Sequence, residues 1–167
     1  MDAAPRPYLP SGRKPRRDDE LETTIERLDR DGSALASWGD YRVRFRREVP
    51  GRRVRAQVIR RRKHRLDARV LEVLSPAPHE VTPRCPHFGP CGGCRHQDLA
   101  YEAQLEELRR LAQETLAPLG VGEVPPVIGA EPAWQYRNKM ELTFSPRRWI
   151  EAGEPEGVAE GFALGLH

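Results

Sequence analysis

The sequence contains no long apolar run. No stretch approaches the ~20 apolar residues that a membrane-spanning helix requires, and the mean hydropathy is −0.71. The first 20 residues are rich in Pro, Arg and Asp and have no apolar segment, so they are typical neither of a signal peptide nor of a helix. We interpret residues 1–20 as a disordered leader and expect a cytoplasmic protein that does not bind membranes.

Cysteine and large apolar side chains are also scarce. The three cysteines all lie between positions 85 and 94, and in a reducing cytoplasm such closely spaced thiols indicate a metal site more than a disulfide. The chain is 38% hydrophobic and 32% charged, which favours one ordinary domain or two small ones with modest cores. Its 16 Pro and 14 Gly, scattered without a period, are typical of short strands joined by many turns.

The net charge of +3 conceals a strongly basic segment. Between Arg42 and Arg65 there are twelve Lys or Arg residues and one acid, Glu48, which gives this segment a charge of about +11. Such a density of positive charge is expected of a protein that binds a phosphate backbone. The alternative is a solvated arginine-rich face that serves only solubility.

Alternation of apolar and polar residues predicts a small β-barrel. Strands are expected at 22–28, 41–46, 53–58 and 66–74, separated by turns such as Asp31-Gly32 and Val49-Pro50-Gly51. Four or five short antiparallel strands in such a span indicate a barrel of the OB type over residues 21–78. Its inward residues would form the core, while outward arginines remain available to phosphates.

One helix is predicted after the barrel, with Asp98 as its N-cap and an end near Ala117. Its apolar residues fall on one stripe at helical spacing, which we expect to pack in a core: Leu105, Leu108, Leu111, Ala112 and Leu116. Pro118 and Gly120 would end the helix. Strand-like segments follow at 136–144 and at the apolar end of the chain, where we expect no later partner and interpret the end as a truncation.

Cys85, Cys91 and Cys94 form a C-x5-C-x2-C motif within ten residues. Thiolates are ligands for zinc or for iron–sulfur clusters, and glycines between the last two cysteines permit the backbone angles that wrapping a cluster requires. Free thiols or a disulfide are least favoured, because one reactive cysteine would be left over. A Cys3His zinc site that uses His87 or His96 and an iron–sulfur cluster remain equally open on spacing alone.

Three segments in order resemble bacterial 23S rRNA (uracil-5-)-methyltransferases. The segment 81–105, with the three cysteines, looks like the cluster segment of that family. The upstream barrel, with Leu28-Asp29-Arg30-Asp31-Gly32 and Val49-Pro50-Gly51, is similar to the TRAM domain that precedes it there. Downstream, Tyr136-Arg137-Asn138-Lys139-Met140-Glu141 resembles the segment that opens the family's central RNA-binding domain.

The resemblance implies an S-adenosylmethionine-dependent RNA uracil-C5-methyltransferase. Cys85, Cys91 and Cys94 would hold a 4Fe–4S cluster whose fourth Cys ligand lies outside this chain. In the family a Cys thiolate adds to C6 of the uracil, which makes C5 nucleophilic enough to accept the methyl group. None of the catalytic or S-adenosylmethionine-binding residues can be placed here, so we expect the catalytic Rossmann-like domain to be absent and this chain alone to be inactive.

The expected organisation is mainly β with one helix (α+β). It comprises the leader 1–20, the TRAM-like barrel 21–78, an iron–sulfur loop and helix 79–120, and the beginning of a central RNA-binding domain 121–167. The expected partner of this monomer is RNA, and 23S rRNA in particular. The alternative function is a stand-alone RNA-binding adaptor with a zinc site. The candidate RNA-binding residues are Arg44, Arg46, Arg52, Arg53, Arg55, Arg60, Arg61, Arg62, Lys63, Arg137 and Lys139.

Overall fold

The computed structural model describes residues 14–89, 93–136, 139, 141–146 and 161–166. Its strands are β1 (Glu20–Leu28), β2 (Ala34–Trp38), β3 (Tyr41–Phe45), β4 (Arg53–Arg62), β5 (Arg65–Ser75), β6 (Leu142–Ser145) and β7 (Ala163–Leu166). Helix α1 (Tyr101–Leu116) and a 3-10 turn (Ala117–Leu119) lie between β5 and β6. The described residues are therefore mainly β with one α-helix, as the sequence predicts.

Strands β1 to β5 close into a barrel in the order β1-β2-β3-β5-β4. The β3–β5 pair is parallel and the other pairs are antiparallel. Because β4 pairs with β1, the barrel has no free edge on which another strand could add. This closed five-stranded barrel confirms the predicted OB-like fold.

The barrel core is formed by the inward residues of all five strands. Phe45, Leu21, Ile25 and Leu66 are each at most 1% exposed, and burial of each such side chain contributes about 1.5–3 kcal/mol. Leu99, which lies far along the chain, is also only 3% exposed and belongs to the same core. The segment after the barrel is therefore packed onto it.

Two strand features differ from the sequence prediction. Strand β2 was not predicted, because its first three residues, Ala34, Leu35 and Ala36, are all buried and so do not alternate with polar residues. Strand β4 continues through Arg60, Arg61 and Arg62, beyond the end predicted at residue 58. These side chains are exposed, and pairing with β5 holds their backbone in the sheet although they bury nothing.

Part of the expected leader is ordered. The N–H of Asp18 donates to the carbonyl of Val58 at 2.8 Å, and the N–H of Val58 donates to the carbonyl of Asp19 at 2.8 Å. Pro15 is fully buried. Residues 14–20 therefore belong with the barrel, ahead of the boundary expected at residue 21, because backbone pairing with β4 compensates for their lack of apolar side chains. Residues 1–13 lie outside the described residues.

Helix α1 corrects two predictions. It begins at Tyr101 after Ala100, which makes no side-chain cap, so Asp98 is not the N-cap. Its apolar stripe is not a core, since no helix residue is fully buried and Leu108 is 53% exposed. Only Ala103 of the helix packs against the barrel core among the described residues, and polar contacts also attach α1. Glu107 Oε2 accepts the N–H of Leu28 at 2.8 Å.

The predicted C-terminal end of the helix is correct. Helix α1 ends at Leu116, and Gly120 follows in the left-handed conformation with φ of 74°. Beyond it, β6 and β7 form an antiparallel pair in which Phe144 stacks on Phe162 with ring centroids 5.4 Å apart. The apolar end of the chain, expected to lack a later partner, therefore pairs with the strand before it. Among the described residues, no helix is long and apolar enough to cross a membrane.

Candidate nucleic-acid interface and metal centre

The cysteine motif lies on a loop whose two ends are joined by a short antiparallel stem, residues 79–81 and 98–100. The N–H of Val81 donates to the carbonyl of Asp98, and the N–H of Ala100 donates to the carbonyl of His79, both at 2.9 Å. Glu80 and Leu99 lie opposite each other between these bonds. Because the side chain of Leu99 is part of the barrel core, the stem at the base of the loop is anchored to the barrel.

Two of the three predicted ligands lie on the two arms above this stem. Cys85 is half-buried, and its N–H donates to Oε1 of Gln97 in the opposite arm at 3.1 Å. Cys94 is exposed, and both thiols are free. Cys91 lies outside the described residues. Within the described ranges, no three His, Cys, Asp or Glu side chains gather closely enough to hold a metal ion.

The two histidines proposed for a zinc site have different surroundings. His96 is half-buried against the β1–β2 turn, where a Cβ added to Gly32 would lie 3.3 Å from its Nε2 atom. Burial lowers the pKa of His96, which keeps the ring neutral near pH 7. His87 is exposed. In a Cys3His arrangement, His87 is therefore the less constrained fourth ligand.

Arg52 ties the stem to the barrel. One guanidinium nitrogen lies 2.6 Å from Glu48 at the β3–β4 turn, and another lies 2.6 Å from Glu80 in the stem. Asp98, also in the stem, is 3.8 Å away. Burial raises the pKa of Glu48, whereas the hydrogen bond from Arg52 lowers the pKa of Glu80. Arg52 thus bridges the β3–β4 turn and the stem through ion pairs that are largely shielded from water.

This geometry gives Arg52 a role other than the expected phosphate contact. Its side chain is only 12% exposed and is already surrounded by three carboxylates. A phosphate would have to displace these acids and then compete with their negative charge. RNA binding by Arg52 therefore stays a prediction, and its acidic neighbours do not favour it. The signal that sequence reasoning missed is long-range, since Glu80 and Asp98 lie far from Arg52 along the chain.

A glycine brings the barrel and the stem into close contact. Gly51 has φ of 94°, and a Cβ at this position would lie 2.8 Å from Cδ of Pro78. Any other residue would be strained by the backbone angle and would also push Pro78 away. The turn predicted at Val49-Pro50-Gly51 is thus confirmed, and its glycine also allows residues 77–78 to pack beneath the barrel.

An open cleft of about 440 Å³ separates the cysteine loop from β3, β4 and β5. Cys94 lines this cleft together with four arginines: Arg46, Arg47, Arg69 and Arg95. Arg47 is held by the carbonyl of Gly89 at 3.3 Å and lies over the ring of Phe88, 4.6 Å from its centroid. Glu48 also lines the cleft, so the side chains around the exposed thiol combine four arginines with one acid and carry net positive charge. Sequence reasoning selected only Arg46 of this group; Arg47 is the next residue along the chain, whereas Arg69 and Arg95 converge from separate segments.

Three of the predicted RNA-binding arginines are paired with acids on the barrel surface. Arg53 lies 3.0 Å from Glu22, and Arg55 lies 2.9 Å from Glu72. Arg44 binds Asp31 and donates to Oγ of Ser33 at 3.0 Å. Hydrogen bonds from Ser33, with a smaller contribution from Arg44, lower the pKa of Asp31 to about 2.

The other predicted barrel residues differ from these, since none has an acidic partner among the described residues: Arg46, Arg60, Arg61, Arg62 and Lys63. All five are exposed. Arg62 lies opposite Arg65 across β4–β5, and Arg42 lies opposite Arg65 across β3–β5. The acid at this end is Asp67, which lies opposite Arg60 and 3.6 Å from Arg65. Like charges on adjacent strands repel, so this end of the barrel carries positive charge that an anion would relieve.

The predicted downstream residues are only partly described. Arg137 lies outside the described residues. Lys139 pairs with Glu141 at 2.7 Å, but both side chains are 80% exposed, and such an exposed pair contributes little and opens easily. Tyr136 is 77% exposed.

Comparison with known proteins identifies relatives that share most of this chain. It is 34% identical over 152 residues to an uncharacterized RNA methyltransferase of Porphyromonas gingivalis, which covers 86% of this chain and 33% of that protein. It is 38% identical over 138 residues to the 23S rRNA (uracil(1939)-C(5))-methyltransferase of Alkalilimnicola ehrlichii, which covers 78% of this chain and 30% of that protein.

A third relative, an uncharacterized RNA methyltransferase of Chlorobaculum tepidum, is 39% identical over 126 residues, or 71% of this chain and 26% of that protein. The chain thus spans no more than about a third of the length of these relatives. No protein-family profile matches it.

Proposed function

We propose that this chain, which is homologous over most of its length to bacterial RNA methyltransferases, is the RNA-binding and iron–sulfur portion of a 23S rRNA uracil-C5-methyltransferase that uses S-adenosylmethionine. The observation that carries the proposal is the unpaired positive charge at one end of a closed OB-like barrel. We further propose that it acts as a monomer in the cytoplasm, where its RNA substrate is assembled into ribosomes.

The RNA-binding part of the proposal rests on which arginines form salt bridges with acids and which do not. Arg60, Arg61 and Arg62 extend from the β4 end of the barrel and form no salt bridge with an acid among the described residues. A phosphate can therefore bind them without displacing a carboxylate. Arg44, Arg53 and Arg55 would have to exchange a carboxylate for a phosphate, which gains less. Arg46 extends the unpaired set toward the cleft beside Cys94. Arg137 and Lys139 remain proposed contacts nearer the target loop.

A salt titration tests this division. Each phosphate neutralised on single-stranded RNA adds about −0.7 to the slope of log affinity against log salt. Replacing Arg60, Arg61 and Arg62 with Ala should therefore flatten the slope by up to about two units and weaken all RNAs alike. The matched control replaces three arginines that are paired with acids, namely Arg53, Arg55 and Arg109. An unchanged slope in the first variant would reduce the basic end to a solvated face, and an equal change in both variants would refute the division between unpaired and paired arginines.

The cluster part of the proposal rests on the donor set and its charge. Cys85 and Cys94 lie on two arms that a closed stem holds together, and Cys91 lies between them in sequence. A 4Fe–4S cluster with thiolate ligands carries net negative charge, which the four arginines beside Cys94 would offset. When bound, the cluster supplies a cross-link that closes the loop. We propose Cys85, Cys91 and Cys94 as its ligands, with a fourth Cys from outside this chain.

Metal analysis after anaerobic purification tests the cluster. The chain should contain iron and sulfide in similar amounts and lose both in Cys85→Ser and Cys94→Ser variants, whereas His87→Ala should retain them. Stoichiometric zinc without sulfide, lost in His87→Ala, would overturn the cluster and favour a stand-alone adaptor with a zinc site.

A further inference from the structure

We infer that the basic end of the barrel carries a stacking platform for unpaired RNA bases, formed by the rings of Trp38, Tyr41 and His64. This inference rests on the proposed RNA-binding function and specifies how that surface holds single-stranded nucleotides. The described residues of the cysteine loop contact the β1–β2 turn and Arg47, at the end of β2 and β3 opposite to Trp38 and Tyr41. The platform is therefore a site separate from the cleft beside Cys94.

The three rings form a continuous row. Trp38 and Tyr41 lie directly opposite each other at the end of the β2–β3 hairpin, with ring centroids 6.3 Å apart and planes inclined by 37°. Tyr41 and His64 follow with centroids 6.2 Å apart and planes inclined by 35°. The N–H of Arg42 donates to the carbonyl of His64 at 2.9 Å, which fixes the β4–β5 turn beside β3.

The three rings are only partly used in packing the barrel core, so part of their surface is free to contact a ligand. Trp38 and Tyr41 pack against the barrel core but remain half-exposed, and His64 is exposed. The backbone of all three residues is held in strands or in a hydrogen-bonded turn. The rings are therefore largely in position before a base stacks on them. Rings that are already positioned cost less entropy on binding than rings that must first be ordered.

The charges around the row match the backbone of the same ligand. Arg42 follows Tyr41 with its side chain on the opposite, outward face of β3, Lys63 precedes His64 in the β4–β5 turn, and Arg62 ends β4. Alternating aromatic and basic residues are the combination by which OB-type folds hold single strands, since bases stack on rings while phosphates meet cations. A duplex would offer the cations its phosphates but would offer the rings no free base face. The site therefore favours unpaired nucleotides.

Two oligomers of the same charge separate stacking from phosphate binding. The probes are a fluorescently labelled oligouridylate of about eight nucleotides and an abasic ribose-phosphate oligomer of the same length. The native chain should bind the oligouridylate more tightly, by about tenfold for each base that stacks. A Tyr41→Leu, His64→Ala double variant should lose most of this preference and retain the native salt slope, because it removes rings and no cation.

The matched control is Trp134→Leu, since Trp134 is another partly exposed aromatic residue, 41% exposed, that lies outside the row. It is compared with Trp38→Leu, and thermal unfolding of each variant shows whether the barrel is retained. Should Trp38→Leu unfold, the double variant decides the question, because His64 is exposed and Tyr41 is only half-buried.

The outcomes distinguish the platform from the function on which it rests. A folded double variant that still prefers the oligouridylate overturns the platform, as does a native chain that binds both oligomers equally. In either case the salt slope would leave the proposed phosphate contacts standing. A native chain that binds neither oligomer overturns both proposals.

Discussion

Removal of the Arg52 side chain is expected to be the most destabilising single change on the surface between barrel and stem. In Arg52→Ala, the carboxylates of Glu48 and Glu80, whose side chains are 14% and 27% exposed, would keep their desolvation and lose their counter-ion. Breaking a buried pair on one side costs about 3–5 kcal/mol. Because these acids retain some contact with water, we expect about 3 kcal/mol here.

The control for this prediction is Arg53→Ala. Arg53 is the next residue and also pairs with one acid, but its side chain is 59% exposed, so its loss should cost at most about 1 kcal/mol. A triple variant, Arg52→Met with Glu48→Gln and Glu80→Gln, should recover much of the lost stability, because no uncompensated charge remains.

The assay combines urea unfolding with hydrogen exchange at two stem amides. The N–H groups of Val81 and Ala100 close the stem, so they should exchange faster in Arg52→Ala while amides of β3 are affected only through global stability. For a chain of 167 residues, a loss of about 3 kcal/mol corresponds to about 6–12 °C in Tm. Equal stability of Arg52→Ala and Arg53→Ala, with unchanged exchange at Val81, would refute the bridging role.

Two further predictions concern catalysis and pH. Purified chain mixed with S-adenosylmethionine and unmodified ribosomal RNA should transfer no methyl group to uridine, because all three cysteines are proposed as cluster ligands. Turnover above a no-protein control would reveal an active site elsewhere in the chain. Asp31, whose pKa falls from its ordinary value of 3.8 to about 2, stabilises the fold above pH 3.8 and loses this contribution as pH falls toward 2. Asp31→Asn should therefore be less stable at neutral pH and show a shallower loss of stability between pH 4 and 2 in urea titrations, and identical profiles would contradict this assignment.

Local patterns in the sequence were sufficient to predict that the first domain is a β-barrel. Val43 and Phe45 alternate with arginines, and this period of two identifies a strand with one buried face without knowledge of its neighbours. Strand β2 lacks the alternation of apolar and polar residues that predicts a strand. Ala34, Leu35 and Ala36 are all buried, because this segment is covered on both sides, and the second covering comes from tertiary packing that no local period records.

Helix α1 shows a similar limit. Its apolar stripe at helical spacing correctly predicts a helix, yet Leu108 is 53% exposed. Whether a stripe is buried depends on what lies against it, and the barrel meets α1 through Ala103 and through a polar contact between Leu28 and Glu107. Asp98 likewise has the chemistry of an N-cap, but the stem directs it toward Arg52, and the helix begins two residues beyond Leu99.

The sequence by itself determined the OB-like class, the grouping of three cysteines on one loop and the total positive charge of the segment from Arg42 to Arg65. These depend on spacing and composition, which are local properties of the chain. Only the tertiary structure decided which arginines remain unpaired, that Arg52 joins the stem to the barrel, and that Trp38, Tyr41 and His64 form a row. Each of these depends on strand register, which brings together residues that are distant in sequence and leaves no trace in any local pattern.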